Sequence, residues 1–177
     1  MDEEVSIKRF ERIGLVESDA LNEVRRLSED VQRVLNSEKA MAAIAGAHVF
    51  NASSHAIQAV ILEEMTSLGF SSEKKGLFSH YVVSGIRPDY YKPIQGGGIL
   101  FEVERGKTIA NNMDLLDVWK THICKEANHL FLLVPKVRVQ ASGGKQKIFN
   151  TVANRLEAFF EPSANPIDVD SVTLFGY

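Results

Sequence analysis

The sequence of 177 residues contains a single cysteine, Cys124. One cysteine cannot form an internal disulfide, and it cannot build a zinc site that uses several thiolates. A scarcity of cysteine is typical of proteins that work in a reducing compartment. We therefore expect a cytoplasmic protein whose fold depends on its core alone.

Long apolar runs are also missing. The run of large apolar side chains at residues 130–134 is far shorter than the roughly 20 residues of a membrane-spanning helix. Residues 1–14 are charged and lack the apolar centre of a signal peptide. We expect neither a membrane segment nor a secretion signal.

The chain has no large excess of one charge sign. Its net charge is −3, which argues against a uniformly basic nucleic-acid binder. The distribution is uneven, because residues 1–30 hold nine acids against five Lys/Arg, whereas residues 71–155 hold thirteen Lys/Arg against seven acids. A basic region around a few acids suits a site that binds a polyanion together with cations, although uneven surface charge without a function is the alternative.

The length and the ordinary composition, 45% hydrophobic and 24% charged, predict one domain over residues 1–177. Apolar residues at helical spacing over residues 18–36 predict a helix that Ser18 or Asp19 caps. Its apolar stripe covers the core or, alternatively, contacts a dimer partner. The domain is expected to divide into three parts: an N-terminal helical segment (1–50), a catalytic core (54–160) and a C-terminal strand (161–177).

Periodicity and turn residues predict the elements of the core. The helices are expected at about residues 54–68, 112–124 and 146–160. The strands are expected at about residues 78–86, 87–94, 99–105, 129–135 and 171–177, the last at a sheet edge. Trp119 is expected in the core. This order predicts an α/β layered fold with a central mixed β-sheet flanked by helices.

Two acids occupy one face of the strand "ILFEVER". Residues two apart in a strand point the same way, so Glu102 and Glu104 share a face with Leu100. A glycine turn separates this strand from "RPDYYKP", which predicts a hairpin that brings Asp89 beside Glu102. In the helix at 54–68, Glu64 falls near the middle of the apolar stripe.

Carboxylates that converge in this way need a cation, because like charges repel and raise one another's pKa. Ligand sets made only of oxygen favour a hard ion such as Mg²⁺. The alternative is a solvent-facing strand in which the glutamates pair with Arg105, Lys107 or Lys92. Glu64 in that case reaches solvent or pairs with an arginine.

The helix with its glutamate, Pro88-Asp89, twelve intervening residues and Glu102-Val103-Glu104 together resemble the PD-(D/E)xK nuclease superfamily. The resemblance covers roughly residues 54–135 and the following helix. Within the superfamily, "ILFEVERGK" is most similar to type II restriction endonucleases. The resemblance implies a restriction-endonuclease-like layered fold, with an extra N-terminal helical segment in this chain.

Roles follow from the resemblance by position. Asp89 and Glu102 would bind one or two Mg²⁺ ions, for which Mn²⁺ would substitute. Glu104 would orient or deprotonate the attacking water. Glu64, or Glu63 in its place, would be the helical acid at the metal.

The usual lysine of the motif is absent, because Glu104 occupies its position. Lys107, just past the strand, and Lys120, on the next helix, are the candidates to supply the positive charge. Side chains expected to hold DNA phosphates are Arg87, Lys92, Arg105, Lys145 and Lys147. The last two lie in a loop before a helix N-terminus, a potential anion site, although they could equally be solvated surface lysines.

These features predict a Mg²⁺-dependent endonuclease of the restriction type that hydrolyses phosphodiester bonds of double-stranded DNA. Recognition of palindromic sites implies a homodimer, and a companion DNA methyltransferase is an expected partner. One alternative is a structure-selective or repair nuclease of the same superfamily. The other is a DNA-binding module that retains the fold without catalysis.

Overall fold

The computed structural model describes residues 4–49, 53–72, 78, 87–105, 108–140, 143–164 and 166–177. The strands are β1 (Ser6–Glu11), β2 (Ser71–Ser72), β3 (Tyr90–Ile94), β4 (Gly97–Val103), β5 (His129–Val134), β6 (Val137–Val139), β7 (Lys145–Lys147) and β8 (Ser171–Gly176). The helices are α1 (Asp19–Leu35), α2 (Glu38–Ala47), α3 (Ser54–Val60), α4 (Leu62–Ser67), α5 (Met113–Ile123) and α6 (Ile148–Phe160). The fold is α/β with a mixed sheet, as the sequence predicts.

Six strands form the main sheet in the order β1-β8-β5-β4-β3-β2. The central strands β4, β5 and β8 run parallel, and β1 and β3 pair antiparallel to their neighbours. Strands β6 and β7 form a separate two-stranded antiparallel ribbon. All six residues of β5 are buried, as expected of a parallel strand that is covered on both faces.

The sheet separates two apolar layers. Buried residues of α1 to α4 pack on one face in a cluster that includes Phe101 and Val103 of β4. Buried residues of α5 and α6 pack on the other face in a cluster that includes Leu100. Because side chains alternate along a strand, Glu102 faces the α5–α6 layer together with Leu100.

Several predicted local features are confirmed. Ser18 is the N-cap of α1, and its side chain accepts a hydrogen bond from the Leu21 amide at 3.2 Å. The end of the helical region, predicted at about residue 68, is followed by Gly69 with a φ of 85°, a conformation that favours glycine. The β3–β4 hairpin is also present, with Gly96 in its turn at a φ of 80°.

Other expectations are corrected. The N-terminal segment is not only helical, because β1 precedes α1 and pairs with β8. The residues of β1 do not alternate between apolar and polar, and only Phe10 is buried, so no two-residue period predicts a strand here. The helix expected at 54–68 divides into α3 and α4 at Ile61.

The C-terminal strand β8 lies inside the sheet, between β1 and β5, and not at an edge. Lys145 and Lys147 belong to a strand, β7, and not to a loop. The strand expected at 78–86 falls almost entirely outside the described residues. Among the helices that the structure describes, none has the length and apolar character needed to cross a membrane.

Candidate active site

The β3–β4 hairpin brings Asp89 and Glu102 into contact. Tyr90 pairs with Phe101, so the residues that precede and follow them meet at the same end of the hairpin. The Asp89 amide donates to Glu102 Oε2 at 3.3 Å, and the Val103 amide donates to Asp89 Oδ2 at 2.7 Å. The predicted neighbourhood of these two acids is therefore present.

Helix α5 adds a third acid and a cation to this pair. Lys120 Nζ lies 2.7 Å from Glu102 Oε1 and 3.1 Å from Asp117 Oδ1. The three side chains are largely removed from water: Lys120 is 18% exposed, Glu102 4% and Asp117 1%. Three ionisable side chains thus lie together between the sheet and α5, with little contact with water.

An ion pair to α6 explains why α5 turns its polar face inward. Arg155 Nη1 lies 3.0 and 3.1 Å from the two carboxylate oxygens of Asp114, whose side chain is fully buried. Arg155 also donates to the side-chain oxygen of Asn112 at 2.6 Å, just before α5 begins. The pair holds the first turn of α5 against α6, and Asp117, one turn later, faces the sheet.

The apolar stripe of α5 is consequently on the outside. Leu116 is 50% exposed and Trp119 is 59% exposed, so the expectation that Trp119 belongs to the core is wrong. Periodicity shows which residues share a helix face, and the usual rule assigns the apolar face to the core. Here the rule fails because buried ion pairs from distant segments stabilise the polar face.

Burial controls the proton affinities in the cluster. Burial, followed by the charge of Asp117, raises the pKa of Glu102 well above its usual value. Burial also raises the pKa of Asp117 to about 6, although Lys120 opposes this shift. Burial lowers the pKa of Lys120, but Glu102 and Asp117 together outweigh it, so the pKa of this lysine lies above its usual value. Lys120 therefore stays charged.

Glu104 lies two residues beyond Glu102, at the open end of the same strand. Its backbone amide donates to the Leu133 carbonyl at 2.8 Å, which continues the β4–β5 ladder. Burial, and next the charges of Asp117 and Asp89, raise the pKa of Glu104 to about 8. The carboxyl group is therefore mostly protonated at neutral pH unless a cation approaches it.

The donor chemistry of this cluster fits a divalent cation. Glu102 and Asp117 pair with one lysine, Asp89 contacts Glu102, and the buried Oδ2 of Asp117 has no hydrogen-bond partner among the described residues. As the side chains stand, no three His, Cys, Asp or Glu residues in the described part of the chain are grouped to hold a metal ion. Glu102 and Asp89 oxygens are engaged by Lys120 and by backbone amides, so an ion must displace these contacts.

Glu64 is not brought to this cluster. It lies on α4, whose buried residues pack against the opposite face of the sheet, and its Oε1 is 3.3 Å from Lys39 Nζ. Glu63 is 81% exposed and also pairs with Lys39, at 2.6 Å. From the same helical region, Gln58 comes nearer to the site, since its Nε2 lies 3.5 Å from the Asp89 carbonyl oxygen.

The residues expected to hold phosphates divide into two groups. Arg105 is 5% exposed, with Nε 3.3 Å from His48 Nδ1, and Lys92 donates to the Leu68 carbonyl at 2.8 Å, so both are engaged inside the protein. Arg87, Lys145 and Lys147 are exposed. Lys107 lies outside the described residues.

Asp117 is the site residue that the sequence reasoning missed. An acid in the first half of a helix has an ordinary explanation, because it interacts favourably with the helix dipole. One signal was available: Asp117 and Lys120 are three residues apart, a spacing that lets one helix present both groups to the same point. No family model matches this sequence, and no curated protein matches it either.

Proposed function

We propose that this protein is a Mg²⁺-dependent nuclease that hydrolyses phosphodiester bonds of double-stranded DNA, on a restriction-endonuclease-like version of its α/β fold. One observation carries the proposal. Glu102, which accepts a hydrogen bond from the Asp89 amide, pairs with the Lys120 ammonium group from α5 at 2.7 Å, and both side chains are largely buried. Two acids and a lysine are the groups that the PD-(D/E)xK resemblance requires at one point.

The acids of the cluster would hold the ion. Asp89, Glu102 and Asp117 offer carboxylate oxygens, the ligands that Mg²⁺ prefers. When bound, the ion would polarise a phosphoryl oxygen and lower the pKa of a bound water. Burial is the largest cause of the raised pKa values of Glu102 and Asp117, and the repulsion between the carboxyl groups adds to it; this repulsion is the electrostatic reason for cation affinity.

Lys120 takes the part of the lysine that the motif lacks at position 104. Glu102 and Asp117 both contact its ammonium group, so these two ion pairs fix the position of the positive charge. A fixed positive charge beside a phosphate stabilises the negative charge that develops during hydrolysis. This assignment favours Lys120 over Lys107.

Glu104 would accept the proton of the attacking water. A group whose pKa lies near the working pH both accepts and releases protons efficiently. With a pKa of about 8, Glu104 has this property at weakly alkaline pH. A nearby cation lowers that pKa and increases the fraction of Glu104 that acts as a base.

A plasmid digest tests the proposal. Wild-type protein with Mg²⁺ is expected to nick or linearise supercoiled plasmid, and Glu102→Gln, Asp117→Asn and Lys120→Met are each expected to lower the rate by about 10²–10³. EDTA is expected to stop cleavage, and Mn²⁺ to restore it. Glu29→Gln, a change of an exposed glutamate on α1, is the matched control and is expected to cut like the wild type.

Circular dichroism of each variant separates loss of chemistry from loss of fold. Equal cutting by wild type, Glu102→Gln and Lys120→Met would remove the proposal.

A second candidate is a DNA-binding module without catalysis. Lys120 already neutralises Glu102 and part of the charge on Asp117, so the cluster is satisfied in part without a metal ion. Under this alternative, DNA binding is salt-dependent, no metal-dependent cutting occurs, and Lys120→Met mainly affects stability. The same digest, combined with a binding isotherm, distinguishes the two candidates.

Within the nuclease proposal, we favour the restriction type over a repair nuclease. A restriction enzyme gives discrete fragments from long DNA, whereas a structure-selective enzyme cuts only at branches or ends. The restriction type also implies a homodimer and a companion methyltransferase that protects the same site. Sedimentation of the purified protein and digestion of methylated DNA test these two partners.

A further inference from the structure

The ribbon formed by β6 and β7 has one exposed face of mixed character. Val137 pairs with Lys147, and Val139 pairs with Lys145, so these four side chains project from the same side of the ribbon. All four residues are exposed, whereas Arg138 and Gln146, which alternate with them, are partly buried. Val137 is 37% exposed and Val139 is 52% exposed.

The sequence around this ribbon carries charge of one sign. Residues 127–156 contain five Lys/Arg and no Asp or Glu. Lys145 and Lys147 have no ion-pair partner in the described part of the chain. A thirty-residue stretch without acids in a chain of net charge −3 is a local bias, and it complements a polyanion.

The ribbon starts at the end of the central strands that carries the acid cluster. It follows β5 directly, and β5 runs parallel to β4, whose carboxyl end carries Glu102 and Glu104. Arg105 contacts His48 at 3.3 Å, and the backbone of Val137 lies against the same histidine. The ribbon therefore begins at the end of the central strands where the acid cluster lies.

We propose that the exposed face of this ribbon enters the major groove of duplex DNA, with Lys145 and Lys147 on backbone phosphates and Val137 and Val139 against thymine methyl groups. This inference rests on the proposed function. The major groove is about 12 Å wide and admits a two-stranded ribbon, whose strands lie about 5 Å apart. The thymine methyl is the apolar group that this groove presents, and it matches the two valines.

The lysines are tested by salt dependence. Binding to a short duplex of alternating A·T pairs is measured by fluorescence anisotropy in EDTA, so that no cutting occurs. Lys145→Ala/Lys147→Ala is expected to bind about tenfold more weakly and to lower the slope of log K against log salt by about 2. Lys8→Ala/Lys39→Ala removes the same charge from exposed sites elsewhere and is expected to keep the wild-type slope.

The valines are tested by removing the methyl groups from the DNA. Replacing thymidine by deoxyuridine in the same duplex is expected to weaken wild-type binding about fivefold. Val137→Ala/Val139→Ala is expected to bind both duplexes equally. Equal wild-type affinity for the two duplexes would overturn the groove contact, and so would stronger binding to RNA or to single strands than to duplex DNA.

Failure of this inference is distinguishable from failure of the proposed function. If the lysine and valine variants bind and cut like the wild type while Glu102→Gln does not cut, the ribbon assignment is wrong and the nuclease proposal stands. If the wild type neither binds duplex DNA nor cuts it, both are wrong.

Discussion

On β4, Phe101 and Glu102 are neighbours in sequence and equally hidden from water, yet their surroundings are opposite. Phe101 meets aromatic rings, with the centroids of Phe70 and Phe131 at 5.6 and 6.0 Å. Glu102 meets the charged groups of Lys120 and Asp117. Adjacent residues of one strand thus belong to an aromatic core and to a cluster of ionisable groups.

The difference separates two uses of burial. Removing an aromatic ring from water stabilises the fold by several kcal/mol. Removing a carboxylate from water costs several kcal/mol unless partners offset it. The aromatic cluster around Phe101 therefore stabilises the fold, and the buried acids around Glu102 have raised pKa values. Four predictions test this division, and the largest expected effect comes first.

Phe101→Ala is expected to lower the free energy of unfolding by about 3–5 kcal/mol, because it leaves a cavity in a fully buried aromatic cluster. Phe101→Leu, which fills most of that space, is expected to cost less than half as much. Urea denaturation followed by circular dichroism measures both. A change below 1 kcal/mol for Phe101→Ala would show that the two faces do not differ as described.

Asp114→Asn is expected to lower the free energy of unfolding by about 1–3 kcal/mol, because it weakens the buried pair with Arg155 that orients α5. Cleavage is expected to fall as well, since α5 carries Lys120 and Asp117. The matched control is Glu157→Gln, which removes the exposed pair with Lys8 and is expected to cost under about 1 kcal/mol. Equal stability of the two variants would contradict the role given to Asp114.

Stability is expected to fall as pH rises from 6.5 to 8. The folded pKa of Glu104, about 8, is above its unfolded value of 4.5, so the folded state retains a proton that the unfolded state has lost. The slope is at most about 1.4 kcal/mol per pH unit for one proton. Burial lowers the pKa of His129 to about 4, so this residue makes stability rise with pH, but only up to about pH 6.5, the unfolded value.

Glu104→Gln is expected to flatten this part of the profile, and saturating Mg²⁺ is expected to reduce the wild-type loss. Thermal denaturation across the pH range measures both effects. A slope that is identical in wild type and variant would exclude Glu104 as its source.

Trp119→Ser is expected to change the free energy of unfolding by less than about 1 kcal/mol, because the indole ring is mostly exposed on the outer face of α5. Thermal denaturation checks it. A loss of 3 kcal/mol or more, typical of a buried tryptophan, would restore the original interpretation of this helix.

Local patterns predicted the part of the site that local geometry determines. The glycine turn and the two-residue alternation sufficed to place Asp89 beside Glu102, since a hairpin fixes its own register. Those patterns could not show which sheet face a helix covers. Glu64 lies in a helix that packs on the face opposite Glu102, and its distance from the cluster follows from that topology.

Long-range pairing explains the remaining misses. The inward polar face of α5 depends on Arg155, which is 41 residues away from Asp114. The interior position of β8 depends on β1, which is its neighbour in space but lies at the other end of the chain. Neither the Arg155–Asp114 pair nor the β1–β8 pairing can be predicted from a sequence segment of about ten or fifteen residues. The predicted fold class, α/β with a mixed sheet, is confirmed because it depends only on the order of the helices and strands.

The interior position of β8 bears on synthesis at the ribosome. In the described sheet, β1 hydrogen-bonds to β8 alone, so β1 has no partner strand until residues 171–176 have been synthesised. Until residues 171–176 emerge, the backbone groups on one side of the apolar strand β5 have no partner strand and can pair with other nascent chains. Slow translation of residues 171–176 would prolong that exposure, and a chain truncated before residue 171 would keep it.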